Sequence, residues 1–324
     1  MTAKTPPSVA DARAANQTAH FAASTAPVGE TESLSSGNRL FIALQHVIPQ
    51  HGISRLVHAA TRSRAPWFKN LLVSTFMRGF RPDLSDAIET DPLAYASFNA
   101  FFTRALQPGA RALPADPDQL ACPVDGTVSQ AGRIEDDGIL QAKGRQYSLA
   151  ALLADRRDWV ARFRGGHFAT IYLAPYNYHR IHMATAGTLR ETWYVPGRLF
   201  SVNRATVASV GSLFARNERV ICCFEQEDLS HALVMVGALN VGSIETPWHG
   251  EITPGRPRSL CRVPPRPGAP SVVVARGDEL GRFNMGSTVI LLFPPGRIEW
   301  QADFQPGRVV RMGEPIGRLL RQRG

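Results

Sequence analysis

Three short stretches of this 324-residue chain carry side chains suited to covalent chemistry. Gly286, Ser287 and Thr288 head an apolar, β-forming run, "GSTVILLF", where glycine weakens a strand and the two hydroxyls need partners once buried. "YNYHRIHM" holds His179 and His182, three residues apart. "CPVDGTVSQAG" sets Asp125 before Gly126, a pair suited to a tight turn between two strands. An Asp, a His and a Ser on separate segments are what a hydroxyl nucleophile needs: the His takes the proton, and the Asp orients and stabilises the imidazolium. Scattered residues of these types occur in most chains of this size, so composition alone does not specify a triad. Two histidines at i, i+3 share a helix face and could hold a metal, but in an extended segment they diverge, and no convincing third and fourth ligands accompany them. No metal is therefore expected. Ser287 also lacks the G-x-S-x-G elbow, so an ordinary esterase site is not supported.

Most of the elements that must position these residues read as strands. From about residue 120 onward, "GTVSQAGRI", "HFATIYLA", "TLRETWYV", "RVICCFEQ", "HALVMVGALNVGSIET", "SVVVARG" and "STVILLF" are short β-forming runs separated by turn residues. Pro and Gly cluster at 254–270, where an irregular loop is expected. Before the strands, "YASFNAFFTRAL" reads as a short helix with Phe98, Phe101 and Phe102 on one core-packing face.

Residues 38–81 differ in character, with seven basic residues (Arg39, Arg55, Arg62, Arg64, Lys69, Arg78 and Arg81) and no Asp or Glu. Apolar residues recur there at helical spacing: Leu40, Ile42, Ala43 and Val47; Ile53, Leu56, Val57 and Ala60; Trp67, Leu71, Leu72 and Phe76. Pro49 and Gly52 separate the first helix from the second, and Pro66 suits the start of the third. Each such helix could simply pack on a core with a solvated basic face. Three in a row without an acid favour a membrane surface, where four charges at ~1 kcal/mol each would supply roughly 4 kcal/mol. The expected class is α+β, with a disordered tail over 1–37, a basic amphipathic membrane-associating helical region over 38–105 and a β-rich catalytic domain over 106–324.

Composition agrees with this division. Hydrophobic content of 44% and charged content of 19% fit a globular chain, and the net charge of +9 favours anionic partners. Nucleic acid would suit that charge, but no zinc-finger or RNA-recognition signature is present. Cys122, Cys222, Cys223 and Cys261 show no metal or disulfide spacing, which suggests a reducing cytosolic compartment. No run approaches a transmembrane span or the apolar centre of a signal peptide.

Taken in order, "PVDGTVSQAG", "YLAPYNYHRIHMATAG", "LFSVN", "LFARNERV", "MVGALNVGSIET" and "RGDELGRFNMGSTVILLF" resemble the sequence blocks of the phosphatidylserine decarboxylase proenzyme family, from about residue 38 to the C-terminus. The resemblance implies self-cleavage between Gly286 and Ser287 by a triad of Asp125, His182 and Ser287, with Ser287 becoming a covalent pyruvoyl cofactor. That group would form a Schiff base with phosphatidylserine and release CO₂ to give phosphatidylethanolamine, with His179 handling the substrate carboxylate. The resemblance further implies a homodimer of cleaved protomers, bound peripherally to the anionic cytoplasmic face of the cell membrane. Thr288 would help stabilise the oxyanion. Met285, Arg204 and His249 depart from the usual pattern, and His249 could alter a loop near the site. Three rival readings give distinct expectations. They are a pyruvoyl decarboxylase of a soluble amino acid, a serine hydrolase with an intact chain, and a membrane-binding module without catalysis.

Overall fold

A computed structural model describes residues 42–45, 48–142, 144–239, 243–253, 259–267, 271–285 and 288–320. The chain divides after His46 into two compact units. Of the first unit, residues 42–45 are described and form a helical turn. The expected tail, Leu40 and Val47 of the expected first helix, and the Gly286–Ser287 pair lie outside the described residues.

The second unit begins with two helices, α1 (Gln50–Thr61) and α2 (Pro66–Phe80). Pro66 opens α2 in its first turn, where a missing N–H costs nothing, and Arg81 closes it in a left-handed conformation with φ 48°. Both helices divide their apolar residues in a way the spacing did not predict. Gln50, Ser54 and Thr61 are the buried residues of α1, whereas Leu56 is 72% exposed. In α2, Val73 and Phe76 turn inward, while Trp67 is 74% and Leu71 55% exposed. The inward face meets α3 (Phe98–Phe102), which Ser97 caps by accepting a hydrogen bond from Ala100 N. Val73, Phe76, Leu84, Ala87, Phe98, Phe101 and Phe102 form one cluster, with Phe76 edge-on to all three α3 phenylalanines. The expected Phe98/Phe101/Phe102 stripe is therefore a core stripe.

The strands are β1 (Gln119–Ala121), β2 (Gly126–Arg133), β3 (Gly138–Ala142), β4 (Arg145–Ser148), β5 (His167–Tyr172), β6 (Arg180–His182), β7 (Gly187–Val195), β8 (Arg219–Gln226) and β9 (Leu229–Val236). They continue as β10 (Ile244–Thr246), β11 (Gly250–Glu251), β12 (Cys261–Arg262), β13 (Val273–Val274), β14 (Glu279–Phe283), β15 (Thr288–Phe293), β16 (Ile298–Trp300), β17 (Val309–Val310) and β18 (Pro315–Leu319). Among the described residues a nine-stranded sheet runs β12-β7-β8-β9-β15-β5-β2-β17, with β13 also on β7. A four-stranded sheet runs β11-β10-β14-β6, a three-stranded one β1-β18-β16, and β3 pairs β4. Every strand pair in these sheets is antiparallel, an isolated Arg198–Asn217 bridge outside them being parallel; β15 lies between β5 and β9, and all six of its residues are buried. Its continuous Thr-Val-Ile-Leu-Leu-Phe run suits a strand covered on both faces.

Two expected strands and one expected loop are modified by tertiary context. The run 231–246 splits between β9 and β10, which belong to different sheets. The run 271–277 yields only two-residue β13, because Asp278 Oδ2 accepts from Ala275 N and Gly277 takes φ +86° in a turn. The expected loop at 254–270 contains β12, an edge strand on Trp193 and Tyr194; 254–258 and 268–270 lie outside the described residues.

Candidate active site

Asp125 stands at a bend where the chain passes from β1 in the small sheet to β2 in the large one. This is a crossing between sheets, whereas the Asp-Gly pair had suggested a turn joining neighbours. Close approach, not backbone φ, explains Gly126: a Cβ there would lie 2.5 Å from the Tyr172 carbonyl oxygen. The Asp125 carboxylate accepts from Met312 N at 2.8 Å and from Arg111 Nη2 at 3.0 Å. Arg111 also donates to Asp86, which in turn accepts from Arg311, both at 2.6 Å. With side-chain exposures of 10% and 13%, Arg111 and Asp125 form a largely desolvated ion pair.

His182 ends β6, and its backbone N–H donates to the Pro123 carbonyl, two residues before Asp125. Its Nδ1 lies 2.7 Å from the Gly277 carbonyl oxygen and its Nε2 2.9 Å from the Tyr178 hydroxyl. A carbonyl can only accept, so Nδ1 carries the proton and Nε2 presents its lone pair to Tyr178. Burial lowers the His182 pKa, which keeps the ring neutral and available as a base at pH 7. Both ring nitrogens are thus engaged by groups other than Asp125, whose influence on the imidazole is through space.

His179 has a different environment. It is fully buried, stacks on Phe102 with ring centroids 4.1 Å apart, and has its Nε2 3.2 Å from the Pro175 carbonyl oxygen. Burial pushes its pKa down to about 3, so it too is neutral. Its Nδ1 has no partner among the described residues. The two histidines address different partners and do not converge on one point.

Strand pairing brings these groups beside the segment of interest. β14 pairs with β6 through Glu279↔His182 and Arg282↔Arg180, and Phe283 N donates to the His179 carbonyl. The chain therefore leaves the four-stranded sheet directly alongside His179. Asn284, fully buried, is fixed next: its N–H donates to Ser243 O at 2.9 Å, its Oδ1 accepts from Asn99 Nδ2 at 3.1 Å, and its Nδ2 donates to Ser243 Oγ. Met285 packs against the α2–α3 phenylalanine cluster. Five residues beyond Phe283, Thr288 enters the large sheet opposite Tyr172 and Val236. Gly286 and Ser287 are thus flanked by residues anchored in two different sheets.

Of the sequence-derived residues, Asp125, His179 and His182 fall in this region, whereas Ser287 and Gly286 lie outside the described residues. Thr288 is buried in β15. His249 sits just before β11, with Nδ1 2.8 Å from the Pro264 carbonyl oxygen. Sequence reasoning missed Tyr178, Arg111, Asn99 and Asn284. The cluster "YNYHRIH" could have pointed to Tyr178, but Arg111 offers no local signal, since its acidic partners Asp86 and Asp125 lie 25 residues before it and 14 after it.

A family model described as phosphatidylserine decarboxylase matches residues 98–318, and one described as PSD matches residues 40–81. The chain belongs to the phosphatidylserine decarboxylase family. A relative from Methylococcus capsulatus named phosphatidylserine decarboxylase proenzyme is 49% identical over 279 residues, covering 86% of this chain and 96% of that protein. Proteins of the same name from Alkalilimnicola ehrlichii and Pseudomonas aeruginosa are 54% and 49% identical, covering 81% and 87% of this chain and 91% and 97% of theirs. In this decarboxylase-family chain, the region matched from 98 to 318 spans α3, the strands through all but the last residue of β18, and Asn99, Arg111, Asp125, Tyr178, His179, His182 and Asn284 of the site described above.

Proposed function

We propose that this chain decarboxylates phosphatidylserine to phosphatidylethanolamine, after cutting itself between Gly286 and Ser287. The observation that carries the reading is the β6–β14 pairing, which runs His179 and His182 alongside the strand leading into that peptide bond. The relatives' proenzyme name supports it. In the cut, Ser287 Oγ attacks the Gly286 carbonyl carbon and its proton passes to His182 Nε2, directly or through the Tyr178 hydroxyl that already occupies that nitrogen. Gly286 has no Cβ to crowd the attack, and the reaction is intramolecular. The peptide C–N bond breaks as His182 gives that proton to the departing Ser287 nitrogen, leaving an ester and a free amine. Loss of the Ser287 Cα proton then expels the Gly286 carboxylate, and water replaces the resulting enamine nitrogen as ammonia, leaving a pyruvoyl group. Asp125 acts on His182 through space, held in place by Arg111 and Met312 N.

The site's donor set fits such a group: two neutral imidazoles, one of them with an unpartnered buried nitrogen, beside the strand that would carry it. The pyruvoyl carbonyl supplies an electron sink for the carbon losing CO₂. His179, desolvated against Phe102, favours a departing neutral CO₂ over a retained carboxylate, and its Nδ1 lone pair can accept a hydrogen bond from the substrate. Access to a lipid fits the outward face of α1 and α2, where Leu56, Trp67 and Leu71 are exposed in a stretch without acidic residues. No described helix is long and apolar enough to cross a membrane. We place the active protein peripherally on the cytoplasmic face of an anionic membrane, as a homodimer of cleaved protomers.

Intact mass of purified protein tests the reading. Self-cleavage gives a C-terminal chain of 38 residues, Ser287 to Gly324, lighter at its N-terminus than a seryl chain. Ser287→Ala should abolish it. A single intact chain with full decarboxylase activity would sink the proposal.

A further inference from the structure

Two buried arginines are treated very differently by the fold. Arg219 is 2% exposed without an acid partner, but its guanidinium donates to the carbonyls of Leu152, Ala215, Asn217 and Ala151 at 2.6–3.1 Å. Its charge is solvated by backbone dipoles, and its role is structural. Arg104 is 4% exposed and equally without an acid partner among the described residues. Here a single nitrogen, Nη2, is shared among the carbonyls of Asp83, Tyr176 and Asn177 at 3.4–3.5 Å, the outer limit of a hydrogen bond. Nε is fully buried with no partner among the described residues. Five N–H donors with three marginal contacts leave a cation far short of the hydrogen bonding it has in water. Folding would not hold such a group inside unless an anion completes it.

The position of Arg104 says which anion. It lies two residues beyond Phe102, whose ring stacks on His179, and directly against the Tyr176–Asn177 turn that precedes His179. The guanidinium and the His179 imidazole therefore flank the same turn. That turn is only half-buried, so the cover over Arg104 is thin. Of the two aspartates that act on Arg104 through space, Asp125 is already held by Arg111 and Met312 N, and Asp83 accepts from Ser85 N. Arg104 also raises the cost of protonating His179, which marks the two as close neighbours electrostatically.

Resting on the phosphatidylserine reading above, we infer that Arg104 binds the anionic part of the lipid headgroup, its carboxylate or its phosphodiester, beside His179. A guanidinium grips either oxyanion through paired charge-assisted hydrogen bonds, which are about twice as strong as neutral ones.

The test reads lipid binding apart from turnover. Mature protein in mixed micelles is treated with borohydride across a series of lipid concentrations, and lipid attached to the 38-residue chain is measured by mass. Phosphatidylserine and phosphatidylethanolamine are compared, because they share the phosphodiester and only the first has the carboxylate. In Arg104→Gln, half-saturation with phosphatidylserine should rise about ten- to a hundredfold, the range for losing a hydrogen bond to a charged group. An unchanged phosphatidylethanolamine curve assigns Arg104 to the carboxylate; an equal rise assigns it to the phosphodiester. Neither curve moving overturns the inference. Arg104→Lys keeps the charge and loses the fork, so a smaller shift is expected, and it serves if the Gln variant does not accumulate. Appearance of the 38-residue chain in each variant confirms that self-cleavage is intact. A wild-type protein that cleaves but attaches neither lipid would instead refute the lipid reading, and this inference with it.

Discussion

Acid should destabilise this protein steeply, and one residue isolates a defined share of the effect. His231 on β9 is fully buried between Phe224 and Phe293, with ring centroids 5.4 and 6.0 Å away, and neither ring nitrogen has a partner among the described residues. Burial pushes its pKa down to about 3, against 6.5 when unfolded. A histidine with a depressed folded pKa contributes stability above the unfolded value and loses it as pH falls from 6.5 toward 3. At pH 5 the unfolded chain holds this proton and the folded chain does not, which costs about 2 kcal/mol relative to pH 7. His179 has the same depressed pKa and adds a similar loss, while Glu218, its pKa raised by burial, works in the opposite direction. A substitution at His231 cancels these shared contributions. Urea unfolding of the Ser287→Ala chain at pH 7 and pH 5 should therefore show a drop that is about 2 kcal/mol smaller when His231→Leu is added. At pH 7 the Leu variant should be no less stable, because it removes two unsatisfied polar atoms and keeps nearly the same volume. Identical pH dependence with and without His231 would refute the reasoning.

Two further outcomes follow from the site and from the helices. Arg111→Met leaves Asp125 with Met312 N as its remaining partner, so the rate of appearance of the 38-residue chain should fall at least tenfold, with Arg111→Lys recovering part of it. An unchanged rate would mean that the Asp125 carboxylate needs no cation to do its work. Replacing Trp67 and Leu71 with Ser touches two exposed side chains and should leave the unfolding midpoint nearly unmoved. Vesicle partitioning should weaken by roughly 3 kcal/mol, about a hundredfold or more, and equal partitioning would discount α2 as the membrane face.

What the sequence determined by itself is local or periodic. Strand β8 coincides with "RVICCFEQ", and β15 with the apolar run after Ser287, because an uninterrupted β-forming run gives the chain no competing option. The phenylalanine spacing of α3 likewise foretold a core stripe, and the order of the sequence blocks pointed to the family. Only the tertiary structure decided which face of α1 and α2 is buried, since Trp67, Leu71 and Phe76 are equally apolar and only a partner such as Phe102 distinguishes inside from outside. It also decided the partners of the site. Asp125 is held by a residue 14 positions earlier and another 187 positions later, and His182 is gripped by Gly277, 95 positions away. Such contacts leave no periodicity behind, because a hydrogen bond across sheets depends on where the chain has been folded to, not on what stands next to it.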